Sequence, residues 1–204
     1  MDLLTSELLA LLTTDLGVST RARSVIGVAG ESGSGKSTTA ARLAEALTAQ
    51  GLTAVLINQD NYFVRPPRTN HAFRVADLTA VGPHEVQLAL IEEHLAAFRA
   101  GAPSVVAPLV NYPENRFDTH TLLFMDARVL IVEGTYVLNL PSLDARVFLE
   151  ATHADTHERR MARNRDMYEP IVDTILGIEH KIIARQAVLA DLLIDRNFHV
   201  RRRA

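Results

Sequence analysis

The chain has 204 residues, 48% hydrophobic and 22% charged, with a mean hydropathy of +0.07, a balance that fits one globular domain and excludes bulk disorder. Lys and Arg number 21 against 24 Asp and Glu, a net charge of −3, so a globally basic nucleic-acid binder is excluded. There is no cysteine, which removes disulfides, thiolate zinc sites, iron–sulfur clusters and Cys nucleophiles together and suits a reducing cytoplasm.

The leucine-rich start carries acids where a signal peptide needs a basic region, and no apolar run is long enough to span a bilayer. It reads as an amphipathic helix to about Leu16, stopped by Gly17, with Leu4, Leu8, Leu11 and Leu12 on one face. That stripe is expected to pack on its own domain, a partner or homo-oligomer contact being the alternative. Residues 1–23 thus precede a domain spanning 24–204. Within it, short β-branched apolar runs recur at Ser24–Ala29, Thr53–Asn58, Arg128–Glu133, Arg146–Glu150 and Asp191–Asp195. Their near-continuous hydrophobicity suits strands buried on both faces. Helical patterns lie at Ser37–Gln50, Pro83–Ala100, Asp155–Asp166 and roughly Ile171–Ala190. The alternation predicts an α/β fold, a parallel sheet of about five strands flanked by helices. Two stretches, Asp60–Gly82 and Leu109–His120, fit no element and read as loops at the carboxyl edge of the sheet, where ligands bind.

Between the first strand and the first long helix of the domain stands Gly30-Glu31-Ser32-Gly33-Ser34-Gly35-Lys36-Ser37, followed by Thr38. This is the full G-x-x-x-x-G-K-[ST] pattern of a phosphate loop. Glycines let backbone N–H groups turn toward phosphate oxygens, and the helix N-terminus adds positive dipole. Lys36 is expected on the β- and γ-phosphates and the Ser37 hydroxyl on Mg²⁺. No N-K-x-D segment for guanine occurs, and the length favours a small-molecule kinase over a motor ATPase.

The second strand delivers Asp60, a carboxylate able to take the proton of an acceptor hydroxyl and to help orient Mg²⁺. The third delivers Glu133, an acid closing a buried strand in the manner of a Walker B residue. Arg159, Arg160, Arg163 and Arg165 crowd one predicted helix. They read as a solvated face or, beside a phosphate loop, as a lid neutralising the transferring phosphoryl group. His153 and His157, four apart with Asp155 between them, permit a metal site, but no third ligand is evident and no H-E-x-x-H occurs, so they are read as surface histidines. Arg201–Arg203 is read as a solvated tail. For the acceptor, Tyr62 and Tyr112 offer flat faces, and Asn111 and Arg116 offer hydrogen bonds.

These motifs, in this order from about Ser24 to Asp195, resemble the uridine kinase and phosphoribulokinase group of P-loop kinases. The resemblance implies ATP- and Mg²⁺-dependent transfer to a hydroxyl, typically the 5′-hydroxyl of uridine or cytidine. It also implies Asp60 as base, Ser37 and Glu133 serving the metal, and the arginines closing over ATP. The pyrimidine-contacting stretch of uridine kinases departs here, with Val110 and Asn115 at its Tyr and His positions, and Asp77 stands far ahead of Val81-Gly82-Pro83. Another hydroxyl acceptor, such as a sugar phosphate, glycerate or a pantothenate-like acid held by Arg65, Arg68 and Arg116, is the alternative. A nucleotide-binding regulator without transfer activity is the reading that Asp60 and Glu133 oppose.

Overall fold

Runs too apolar to face water on either side become the inner strands of a sheet. The computed structural model describes residues 2–156 and 170–203. Its strands are β1 (Ser24–Gly30), β2 (Ala54–Asn58), β3 (Ser104–Asn111), β4 (Arg116–Leu123), β5 (Val129–Gly134), β6 (Ala145–Leu149), β7 (Leu192–Ile194) and β8 (Val200–Arg202). Six of them form the main sheet in the order β2-β5-β1-β6-β7-β8. The first five in that order run parallel, and β8 is antiparallel to β7. The helices are α1 (Leu3–Ala10), α2 (Lys36–Ala49), α3 (Pro67–Ala76), α4 (Leu88–Arg99) and α5 (Pro170–Ile183).

Alternation along β1 and β5 sorts side chains onto the two faces. Val25, Leu130 and Val132 join Ile91, Leu95 and Phe98 of α4 in one core. Ile26, Val28, Val129 and Ile131 join Leu43 and Leu47 of α2 in the other. The amino-terminal helix belongs to that second core. Asp2 caps it by accepting from the Thr5 N–H at 2.8 Å, it runs on as a π turn over Leu11–Asp15, and Gly17 at φ +67° ends it. Leu8, Leu9 and Leu12 are buried against α2 and the sheet, so this amino-terminal segment packs into the core of the sheet domain. Leu12→Ala is therefore expected to lower the unfolding free energy by about 2–5 kcal/mol. Urea unfolding measures it, and a loss below about 1 kcal/mol would show that the helix is dispensable.

Several expectations are corrected. Leu109–His120 is not a loop at the carboxyl edge. It is most of an antiparallel hairpin, β3 with β4, forming its own two-stranded sheet. Its β pattern is masked by Pro108 in β3 and by the polar residues of the turn and of β4. The Asp60–Gly82 stretch holds a 3₁₀ turn, Gln59–Tyr62, and then α3. The helix expected from Pro83 starts at Leu88, because Pro83–Glu85 is a separate 3₁₀ turn. Arg201–Arg203 is solvent-exposed but not a free tail. Arg201 and Arg202 lie in β8, with Arg201 on Glu150 at 2.7 Å, and Arg203, just past the strand, donates Nε to the Ala190 carbonyl at 2.8 Å. Among the described residues no helix is long and apolar enough to cross a membrane.

Candidate active site

The phosphate loop leaves β1 at its carboxyl end and becomes α2 at Lys36. At Gly30 an added Cβ would lie 2.8 Å from Ser34 Oγ and 2.9 Å from the Leu149 carbonyl oxygen, so the close return of the loop onto β6 requires glycine. Gly35, at φ +104°, sits at the N-cap of α2, a left-handed conformation that glycine adopts at little steric cost. The first-turn N–H groups of α2 have no intrahelical acceptors by helix geometry, which makes an anion site. Lys36 Nζ rests on the Glu31 carbonyl oxygen at 2.9 Å, lying across its own loop.

Two acids face this loop. Glu133, buried at the end of β5, accepts from the Ser37 hydroxyl at 3.0 Å. Burial raises its pKa and the nearby Asp60 charge adds to the rise, while Lys36 and the Ser37 hydrogen bond oppose it. Asp60 is exposed two residues beyond Asn58, the register partner of Glu133. Its turn is held from both sides. Asn58 Oδ1 accepts from the Asp60 N–H at 2.7 Å. Gln59 donates to Thr135 Oγ1 at 2.9 Å and accepts from the Tyr136 N–H at 2.8 Å. Ser37, Glu133 and Asp60 offer oxygen donors alone, the set that a hard cation such as Mg²⁺ prefers.

From Asp60 a cleft of about 290 Å³ opens away from the phosphate loop. Ser32 and Thr135 line its loop end, Asn70, His71 and Arg74 of α3 one wall, and Ile175, Leu176 and Glu179 of α5 another. Phe63, Arg65 and Tyr112 complete it. The floor carries buried charge. Arg74 pairs with Glu85 and, at 3.0 Å, with Glu179. Asn70 and the Gly82 N–H also donate to Glu85, at 2.8 and 2.7 Å. One guanidinium thus serves two carboxylates. Burial raises the Glu179 pKa against the pull of Arg74, with Glu85 pushing it further up.

The residues expected at the acceptor divide. Tyr112 is on the cleft, 52% exposed. Tyr62 is not: its ring is buried in the core, its hydroxyl bonds His94 Nδ1 at 2.9 Å, and burial pushes the phenol up to about 12. Asn111 turns inward on the hairpin, donating to Asp118 at 2.9 Å and accepting from the Glu114 N–H at 3.1 Å. Arg116 pairs with Glu114 at 2.6 Å and Asp118 at 2.8 Å on the same hairpin, and neither residue lines the cleft. Arg68 and Asn115 tie α3 to the hairpin turn, through the Pro113 carbonyl and the Arg68 N–H. Arg159, Arg160, Arg163 and Arg165, with His157, lie outside the described residues. Sequence reasoning missed Asn70, His71, Arg74 and Glu179. Of these only Glu179 left a signal, an acid on the apolar stripe Ile175, Leu176, Ile183.

Against known proteins, the sequence model of the Phosphoribulokinase / Uridine kinase family matches residues 25–198. A uridine kinase from Tolumonas auensis is 30% identical over 168 residues, covering 78% of this chain and 76% of that protein. A bifunctional alpha-galactosidase/sucrose kinase from Mediterraneibacter gnavus is 29% identical over 189 residues, 86% of this chain, which spans only 20% of that longer protein. The fold is also that of a possible uridine kinase from Bacillus stearothermophilus, with a TM-score of 0.67 at 19% identity over 93% of this chain and 96% of that one.

Proposed function

This chain belongs to the phosphoribulokinase and uridine kinase family, a family of kinases that phosphorylate a hydroxyl, and from that premise we propose that it moves the γ-phosphoryl group of ATP to the 5′-hydroxyl of a pyrimidine nucleoside. The observation that carries the reading is the position of Asp60. It stands beside Glu133 at the carboxyl edge of β2 and β5, where the cleft meets the phosphate loop.

In this reading Gly30 to Thr38 hold the triphosphate, and Lys36 leaves the Glu31 carbonyl to reach its β- and γ-oxygens. Ser37 and Glu133, with Asp60 near them, hold Mg²⁺, which when bound screens phosphate charge. Asp60 orients the acceptor hydroxyl and takes its proton as the new O–P bond forms. Phe63 and Tyr112 present aromatic faces to the acceptor. Uridine kinases among the relatives support the nucleoside, and the cysteine-free composition supports a reducing compartment such as the cytoplasm.

One observation favours a second reading, a sugar-like acceptor. The Arg74–Glu179 pair, with Asn70 and His71, lines the cleft with groups that match hydroxyls, and the likeness to a protein whose name includes sucrose kinase agrees. A panel of nucleosides, sugars, sugar phosphates and sugar acids, incubated with ATP and Mg²⁺, decides between them. Acceptor-dependent ADP release is expected with uridine or cytidine, and release with sugars alone would replace the first reading by the second. Tyr112→Ala is expected to raise the acceptor KM about tenfold while leaving the KM for ATP within about twofold, the loss of a stacking face being worth roughly 1 kcal/mol or more. Equal effects on both constants would remove Tyr112 from the acceptor site.

A further inference from the structure

Glu31 is a phosphate-loop residue whose side chain takes no part in holding the loop's own backbone. Its carboxylate is buried, and both oxygens face imidazoles. His153, from the segment that follows β6, places Nδ1 at 2.9 Å from Oε2 and donates its own backbone N–H to the same oxygen at 2.7 Å. His180 of α5 places Nδ1 at 2.6 Å from Oε1. The two rings stand edge to face, centroids 5.4 Å apart. One ligand atom from each of the three residues falls within 4.8 Å of the others. No step of the proposed transfer uses either histidine.

We infer that Glu31, His153 and His180 form a site for a transition-metal dication of the zinc class, separate from the Mg²⁺ position at Ser37 and Glu133. The donor set argues for it. Two imidazole nitrogens and one carboxylate suit zinc, cobalt or nickel, whereas Mg²⁺ and Ca²⁺ favour oxygen alone. Three protein ligands leave a fourth position to water, the pattern of open zinc sites. The geometry needs a side-chain adjustment at both histidines. Ligands around tetrahedral zinc lie about 3.3 Å apart, so each Nδ1 backs off the oxygen it now faces, at 2.9 and 2.6 Å, by a few tenths of an ångström or more, while the widest ligand pair, within 4.8 Å, closes by up to about 1.5 Å. The histidine side chains are 25% and 40% exposed, which leaves them room to shift. A neutral histidine frees its Nδ1 lone pair by carrying its proton on Nε2 instead, so a metal replaces two hydrogen bonds without leaving the carboxylate unpaired.

A metal here would tie the phosphate loop to the segment after β6 and to α5. The same helix presents Glu179, the neighbour of His180, to the cleft. Occupancy would therefore fix one wall of the cleft against the loop. The inference stands apart from the choice of acceptor and of nucleotide.

The test is Zn²⁺ titration of the full chain in buffer free of nucleotide and Mg²⁺, read by competition with a chromophoric chelator. One equivalent is expected to bind with a Kd of about 1 μM or tighter. His153→Ala and His180→Ala should each weaken it at least about tenfold, and the double variant should lose it. Both histidines are partly exposed and can be replaced without opening the core, whereas buried Glu31 risks the fold. Cobalt in place of zinc should give a visible d–d band in the wild type that the His180→Ala variant lacks. No binding to the wild type at about 100 μM, or undiminished tight binding by the double variant, which would place the metal on other histidines, overturns the inference.

Discussion

Lys36→Ala is expected to abolish measurable transfer, lowering kcat/KM by about 10³-fold or more. Removing one preorganised donor from a developing charge costs roughly 10²–10³, and here the donor is a full ammonium serving a polyanion. The fold should survive, because Lys36 is only half-buried and its ammonium lies on the Glu31 carbonyl of its own loop rather than in a core. The measurement is acceptor-dependent ADP release, with the thermal midpoint of unfolding as control. Activity within a few-fold of wild type, at an unchanged midpoint, would mean that the loop does not bind a triphosphate as proposed.

Asp60→Asn separates chemistry from binding. It is expected to lower kcat by about 10²-fold or more, the size of a general-base contribution, with the Kd for ATP nearly unchanged. The substitution keeps the shape of an exposed residue in a turn whose hydrogen bond to Asn58 uses the Asp60 backbone. A second effect has a definite sign. The Asp60 charge raises the Glu133 pKa, so its removal lets Glu133 ionise at lower pH. Loss of activity therefore cannot come from a protonated Glu133, and excess Mg²⁺ should not rescue it. Full rescue by Mg²⁺ would make Asp60 a metal ligand alone, and an unchanged kcat would return it to the loop.

How much of this was legible in the sequence follows from how far apart the interacting residues stand along the chain. The phosphate loop was legible because its function is written in local backbone geometry: glycines where a Cβ would clash or φ must be positive, then lysine and a hydroxyl at the start of a helix. The parallel strands β1, β5, β6 and β7 were legible because burial on both faces demands unbroken apolar runs, edge strand β2 because it keeps an apolar run all the same, and α2 because its stripe repeats at helical spacing. Asp60 and Glu133 were found at strand ends for the same reason. Sequence alone thus determined an α/β domain with the phosphate-loop pattern and the acids at its edge.

Tertiary structure decided the rest. The sheet order inserts β5 between β2 and β1, and only that crossover sets Glu133 against Ser37 and beside Asp60. The hairpin was hidden because Pro108 interrupts β3, and the polar turn Asn111–Arg116 with the threonines and His120 of β4 reads locally as loop. Tyr62 looked like a ligand contact and proved to be core, since an aromatic ring carries no mark of which way its turn points. The cleft wall draws on α3 and α5, and Glu31 meets imidazoles 122 and 149 residues downstream. Such pairings leave no periodic trace. They exist because packing two helices and a returning strand over one sheet edge brings distant side chains into the same few ångströms, and the energy that selects them is paid out only when the whole domain closes.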